Sequence, residues 1–307
     1  MKTITSNKGG IAPVQTLDDQ AKRDVYRVIN THLSQMGELQ LRRAFSGEYT
    51  NYVSPFHVLD EFGPMQLAPG TPFRVDAHPH AGIIPMTYLL DGDSHHRDSL
   101  GNDIQYSKGD LLIFTAGKGA LHMEETGAKL FERGGRFHGF QSWLNIPSHL
   151  KRSEPFTELL EENTIPTINT ETYSLKVLLG EAFGLKSRAR MLFPVLYLHV
   201  NLQAGASLEL PVDRSQNAFI YVVDGEIEVS SGTQVGKGHV VLYERNGDMI
   251  RIKSHTPANI LVLGGAPNNE RYVAYGPFIM NTQNEIAACF KDFERGKMGD
   301  PAAVDGY

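Results

Sequence analysis

The feature that most constrains this chain is a repeat of two strand–turn blocks. Tyr88-Leu-Leu-Asp-Gly92 returns as Tyr221-Val-Val-Asp-Gly225, 133 positions later. Lys108-Gly-Asp-Leu-Leu-Ile-Phe114 returns as Lys237-Gly-His-Val-Val-Leu-Tyr243, 129 positions later. Both blocks keep their order, and each Asp-Gly follows an apolar run, which is a hairpin signal. With 30 Gly and 16 Pro to supply turns, the short β-branched runs read as strands. The expectation is an all-β chain of two antiparallel barrels, over residues 39–150 and 173–265, joined by a linker over 151–172. Residues 1–38 read as an extension with one amphipathic helix, because Leu17, Ala21, Val25, Val28, Ile29 and Leu33 fall near helical spacing after Thr16. Residues 266–307 read as a C-terminal segment whose helix runs from Asn284 to about Arg295 and stops at Gly296.

Charge and composition exclude several classes. A net charge of −6 gives no sign of the basic face that direct nucleic-acid binding needs. Cys289 is the single cysteine, so neither a disulfide framework nor a thiolate zinc site can form within the chain. Met1 to Gly10 lack the apolar core of a signal peptide. No apolar run approaches the ~18–20 residues of a membrane span. The expectation is a cytoplasmic protein with no membrane partner.

Ala77-His78-Pro79-His80 puts two imidazoles two positions apart, hence on one face of an extended strand. His122-Met-Glu124 repeats the arrangement with an imidazole and a carboxylate after a glycine-rich turn. Together they form a three-nitrogen, one-oxygen set suited to a divalent Fe, Mn, Co, Ni, Cu or Zn ion. On a six-coordinate metal such a set leaves about two positions open for chemistry. The plainer alternative is four unrelated residues making ordinary hydrogen bonds, and two donor pairs within one half of the repeat argue against it. The repeat offsets carry His78, His80, His122 and Glu124 to Pro211, Asp213, Arg251 and Lys253. The second half is therefore expected to lack the ligand set, with Asp213 paired to Arg251 or Lys253. His95-His96 reads as a polar stretch beyond a hairpin, and Asp98 and Glu125 as exposed charges.

On Ala77-His-Pro-His80, Tyr88–Gly92, Gly109-Asp110, Thr115-Ala-Gly-Lys-Gly119, Leu121-His-Met-Glu124 and Gly276-Pro-Phe-Ile-Met-Asn-Thr282, the chain resembles the pirin family of the cupin superfamily from about Leu39 to Gly299. The resemblance implies a bicupin of two double-stranded β-helices with one metal, most often iron, in the N-terminal barrel. It carries the ligands onto His78, His80, His122 and Glu124. It also implies a quercetin 2,3-dioxygenase-like reaction on a small aromatic substrate and O2, with the carboxylate Glu124 or a neighbour taking the flavonol proton. The rival implication is a regulatory protein that binds protein partners according to iron redox state. A sugar isomerase or lyase has less support. The chain departs from the pattern at Ile84, followed by Pro85, where cupins often carry Glu, and at Ala81, where an arginine is common. Both make the mouth of the site less polar. Two linked barrels are expected to leave the protein a monomer.

Overall fold

The computed structural model describes residues 21–36, 39–230 and 232–306. The described residues open with β1 (Val25–Asn30), β2 (His32–Met36), β3 (Leu39–Ser46), α1 (Thr50–Val53) and β4 (Phe56–Leu67). Then come β5 (Arg74–His80), β6 (Ile83–Asp91), β7 (Asp93–Asp98), β8 (Asp103–Ser107), β9 (Leu111–Thr115), β10 (Ala120–Thr126), α2 (Ala128–Arg133) and β11 (Gly135–Asn145). The second half contributes β12 (Phe156–Leu160), β13 (Thr167–Asn169), β14 (Tyr173–Leu179), and a short hairpin of β15 (Glu181–Ala182) and β16 (Leu185–Lys186). Its barrel continues with β17 (Val195–Leu202), β18 (Ser207–Pro211), β19 (Asn217–Asp224), β20 (Glu226–Val229), β21 (Thr233–Gly236), β22 (His239–Tyr243), β23 (Met249–Lys253) and β24 (Ala258–Gly265). The chain closes with β25 (Val273–Tyr275), β26 (Phe278–Met280), α3 (Gln283–Glu294) and α4 (Pro301–Asp305).

The duplication is complete at the level of the sheets. One seven-stranded sheet runs β12-β9-β6-β11-β4-β3-β2 and the other β1-β22-β19-β24-β17-β14-β13. The four-stranded partners run β5-β10-β7-β8 and β18-β23-β20-β21. Each half lends its first strand to the other: β1 pairs with β22, and β12 pairs with β9. The segment expected as a linker thus holds a strand of each barrel.

This exchange overturns the expected N-terminal helix. Residues 25–36 are strands, while residues 16–20 of that expectation lie outside the described residues. Val25, Val28 and Ile29 are β-branched, and their backbone pairs with the otherwise open edge of β22. Buried Arg23 anchors the segment by donating to the carbonyls of Gly247 at 3.0 Å and Asp213 at 2.6 Å.

Aromatic and aliphatic side chains of both halves share one core. Phe219 meets Phe56 and Phe45 edge-on at 5.4 and 5.5 Å. Polar pairs cross the same seam: Tyr221 donates its hydroxyl to buried Glu61 at 2.7 Å, and Tyr88 bonds His199 Nδ1 at 2.7 Å. The expected C-terminal helix is present as α3, opened by a capping box of Thr282 and Glu285. Buried Cys289 packs there against the outer face of β5 and β10. None of the described helices is long and apolar enough to cross a membrane.

Candidate metal centre

Strand alternation turns His78 and His80 to the barrel interior. The ladder then sets His78 opposite His122 on β10, and a bulge between His122 and Glu124 follows. On the other edge of β10, Glu124 lies opposite His96 of β7. The result is a row of five donors drawn from three adjacent strands.

The three expected imidazoles converge. Ring centroids lie 4.8 Å apart for His78 and His80, 4.5 Å for His78 and His122, and 5.0 Å for His80 and His122. One nitrogen from each falls within 4.8 Å of the others. His78 Nδ1 lies 2.8 Å from the Asp76 carbonyl, and His80 Nδ1 3.0 Å from the Pro277 carbonyl. A carbonyl only accepts, so both Nδ1 atoms carry the proton and both Nε2 atoms present lone pairs. His78 Nε2 stands 3.1 Å from His122 Nε2, a spacing that needs a proton or a cation between the two nitrogens. Burial, reinforced by His78, lowers His80 to about 3. Burial and the neighbouring histidines hold His122 well below its ordinary value. Both rings are neutral near pH 7, as metal ligands must be.

The donor set therefore fits a divalent ion, but the carboxylate joins it less directly. Glu124 falls in a second group with His122 and His96, not with His78 and His80. Its Oε1 accepts from Thr87 at 2.9 Å and Tyr106 at 3.4 Å. Thr87 Oγ1 also lies 2.7 Å from Gln141 Oε1. One hydroxyl holds one proton, so the Gln141 amide must turn its NH2 toward Thr87, giving a chain of donors that ends on Glu124. Oε2 takes no hydrogen bond among the described residues, which leaves it to face a ligand. Beyond Glu124 the barrel holds a cavity of about 30 Å3 walled by Leu39, Phe62, Phe73, Tyr106 and Phe137. That is room for water, an order of magnitude below a pocket of about 300 Å3 for a drug-sized ligand.

The closing segment is part of the site. Lys151 is 2% exposed and donates to Gly82 O at 3.1 Å, Ile279 O at 2.8 Å and Asn145 Oδ1 at 2.5 Å. It thereby ties β26 to the residues following His80. Gly82 is required here: at φ +73° a Cβ would meet Ile279 O at 2.0 Å. Ala81, where the family pattern favours arginine, is wholly buried in a cluster with Phe278 and Met280. Ile84 faces the shared core of the two barrels.

Two readings of single residues need correction. Asp98 is buried, not exposed; burial alone would raise it, but hydrogen bonds from His96, Thr157 and Asn102 outweigh that and bring it to about 2. His96 is wholly buried beside His122. The signal was present in the sequence: His96 and Asp98 stand two apart on a strand, as His78 and His80 do.

The expected counterparts in the second barrel are also off by one. The ladder sets Leu210 opposite Ile250, as it sets His78 opposite His122. Arg251 and Lys253 face outward and pair with Glu209 and Glu228, while the Asp213 carboxylate bonds Ser215. A one-residue shift moves every side chain to the opposite face. The second barrel thus presents aliphatic residues in place of the donors.

Comparison with known proteins agrees with this architecture. Residues 38–144 match the family model described as Pirin, and residues 197–299 the one described as Pirin C-terminal cupin domain. A pirin-like protein of Solanum lycopersicum is 35% identical over 263 residues, covering 84% of this chain and 87% of that protein. A crystal structure of quercetin 2,3-dioxygenase from Acinetobacter baumannii superposes with a TM-score of 0.87 at 30% identity, covering 92% of this chain and all of that one. The bacterial pirin YhhW of Escherichia coli, in complex with nickel(II), shares the fold at 20% identity, with a TM-score of 0.60 and coverage of 78% of this chain and 100% of that one. By its two cupin domains, its duplicated sheets and this likeness along most of its length, the chain belongs to the pirin family.

Proposed function

We propose that this chain is a metal-dependent dioxygenase of the quercetin 2,3-dioxygenase type, holding one divalent transition metal on His78, His80, His122 and Glu124. The observation that carries the reading is the convergence of the three imidazoles, two of them with Nδ1 committed to carbonyls, beside a carboxylate with one free oxygen. Iron is the metal of choice for O2 chemistry, although Zn, Ni, Mn, Co and Cu suit the same donors. The 30% identity with a quercetin 2,3-dioxygenase supports the reaction class.

When bound, an iron ion would supply Lewis acidity toward a substrate oxygen and a position for O2. Glu124 takes the proton of a flavonol hydroxyl, while Thr87 and Tyr106 fix Oε1 so that Oε2 faces the substrate. Phe114 stacks on His122 at 4.6 Å and Trp143 meets His80 edge-on at 5.0 Å, and both keep water from the imidazoles. His78 is the most accessible of the three rings, so the aromatic substrate approaches from its side. Oxygen uptake with quercetin and iron-loaded protein tests the reading. Uptake absent in a His80→Ala variant supports it, and none above that variant in the wild type removes quercetin as substrate.

The small cavity beyond Glu124 favours a second reading, a redox-sensitive regulatory protein that acts through protein partners and has no substrate. The N-terminal helix no longer supports it, since residues 25–36 are strands. Partner binding that is indifferent to iron oxidation state would count against it. In either reading the aromatic seam joining the two barrels supports a monomer.

A further inference from the structure

Each metal-facing imidazole needs a partner for its other nitrogen, and the structure supplies two of the three from carbonyls. His78 has Asp76 and His80 has Pro277. His122 is the exception: its Nδ1 is buried and meets no hydrogen-bond partner. With Nε2 turned to the cluster beside His78 Nε2, Nδ1 must carry a proton when a metal is bound. Phe114 covers one face of the ring.

A second orphan lies beside it. His96 Nε2 is 3.1 Å from Asp98 Oδ2. The Asp98 carboxylate also receives the backbone N–H groups of Leu100 and Asn102, the Asn102 amide and the Thr157 hydroxyl at 2.5 Å. Asp98 therefore accepts throughout, and the proton between it and His96 sits on His96 Nε2. That leaves His96 Nδ1 a lone pair, and it too is buried without a partner. The ring centroids of His96 and His122 are 5.4 Å apart, and nitrogens of both lie within 4.8 Å of each other. One orphan is a donor, the other an acceptor.

We infer that His96 is the positioning residue for His122: its Nδ1 accepts the His122 Nδ1–H once the metal site is filled, so that Asp98, His96 and His122 form a relay fixing the tautomer and angle of the ligand. The inference rests on the metal reading proposed above and assigns His96 no contact with the ion. Asp98 holds the first ring, the first ring holds the second, and the second presents Nε2. Glu124, opposite His96 on the ladder, closes the same row.

The test uses zinc as the probe and compares wild type with His96→Leu and His96→Gln by competition against a chromophoric chelator. Removing the partner of a ligating histidine weakens metal binding by about 10–100-fold. His96→Leu is expected to show that loss, whereas the glutamine amide can both donate to Asp98 and accept from His122 and should stay within about threefold. Imidazole nitrogen NMR of the zinc-loaded wild type gives an answer that does not depend on either variant folding. It should find His96 protonated on Nε2, and His122 protonated on Nδ1 and hydrogen-bonded. Undiminished zinc affinity in His96→Leu, a proton on His96 Nδ1, or zinc bound to His96 Nδ1 would each overturn the relay while leaving the other ligands in place. Wild-type protein that binds no zinc, cobalt or iron would overturn the metal reading and the relay with it.

Discussion

In the first barrel the ladder sets His78 opposite His122 and His96 opposite Glu124. In the second, the same rungs set Leu210 opposite Ile250 and Val229 opposite Ile252. All four replacements are buried at 3% exposure or less. One sheet plan thus serves two interiors. The aliphatic interior needs only volume and shape, and each side chain contributes by leaving water. The polar interior needs a partner for every buried nitrogen and oxygen, and these come from afar: Pro277 from beyond the second barrel, Thr87 from β6, Tyr106 from β8. The polar barrel is therefore held from outside in a way the aliphatic barrel is not.

Four experiments press on that contrast, beginning with the largest effect. His80→Ala and Glu124→Ala should each abolish the roughly one metal ion per chain expected of the first barrel, as read by elemental analysis; a full complement in both variants would dissolve the distinction between the barrels.

Exchanging the two interiors should then be asymmetric. Ile250→His buries an imidazole with no partner and should cost about 3 kcal/mol in urea unfolding. His80→Leu in metal-free protein should cost less, about 1 kcal/mol, because the bond lost to the Pro277 carbonyl is partly offset by removing a buried imidazole. Equal costs would mean that the polar interior is as rigidly packed as the aliphatic one.

The seam between the barrels should respond to acid. Burial lowers His199 to about 4, and its bonds to Tyr88 and Asn259 suit a neutral ring. Its folded value lies below the unfolded value of about 6.5, so the unfolded chain takes up the proton first as pH falls. This contribution is fully present above about pH 6.5 and is lost on the way down to about 4, by up to roughly 3 kcal/mol. His199→Gln should flatten that part of the stability–pH curve, and an unchanged slope would place the titration elsewhere. The smallest effect is expected at Arg251, whose pairing with Glu209 is on the outer face: Arg251→Ala should shift stability by under about 1 kcal/mol.

Much of this was legible in the sequence, and for one reason. Period-two alternation says which residues share a face, so His78 with His80, and His122 with Glu124, could be grouped without coordinates. The same rule applied to His96 and Asp98 would have enlarged the site. It fails across a bulge or an uneven loop, where a single residue reverses inside and outside; Arg251 and Lys253 were misread for that reason. Helical spacing misled at Val25 to Ile29, because those residues meet the edge of β22 more than 200 positions away, and at Leu33, which pairs with Arg42 of β3.

By itself, then, the chain specified two hairpin-built barrels, four metal-ligand candidates and their presence in one half only, because strand period and repeat order are local properties. The tertiary structure decided which half each outer strand joins, how Glu124 is shared between His122 and His96, and which carbonyls orient the imidazoles. Those depend on unpaired sheet edges and on groups brought together from distant strands, where the need to satisfy each buried polar atom selects the partner and sequence proximity has no say.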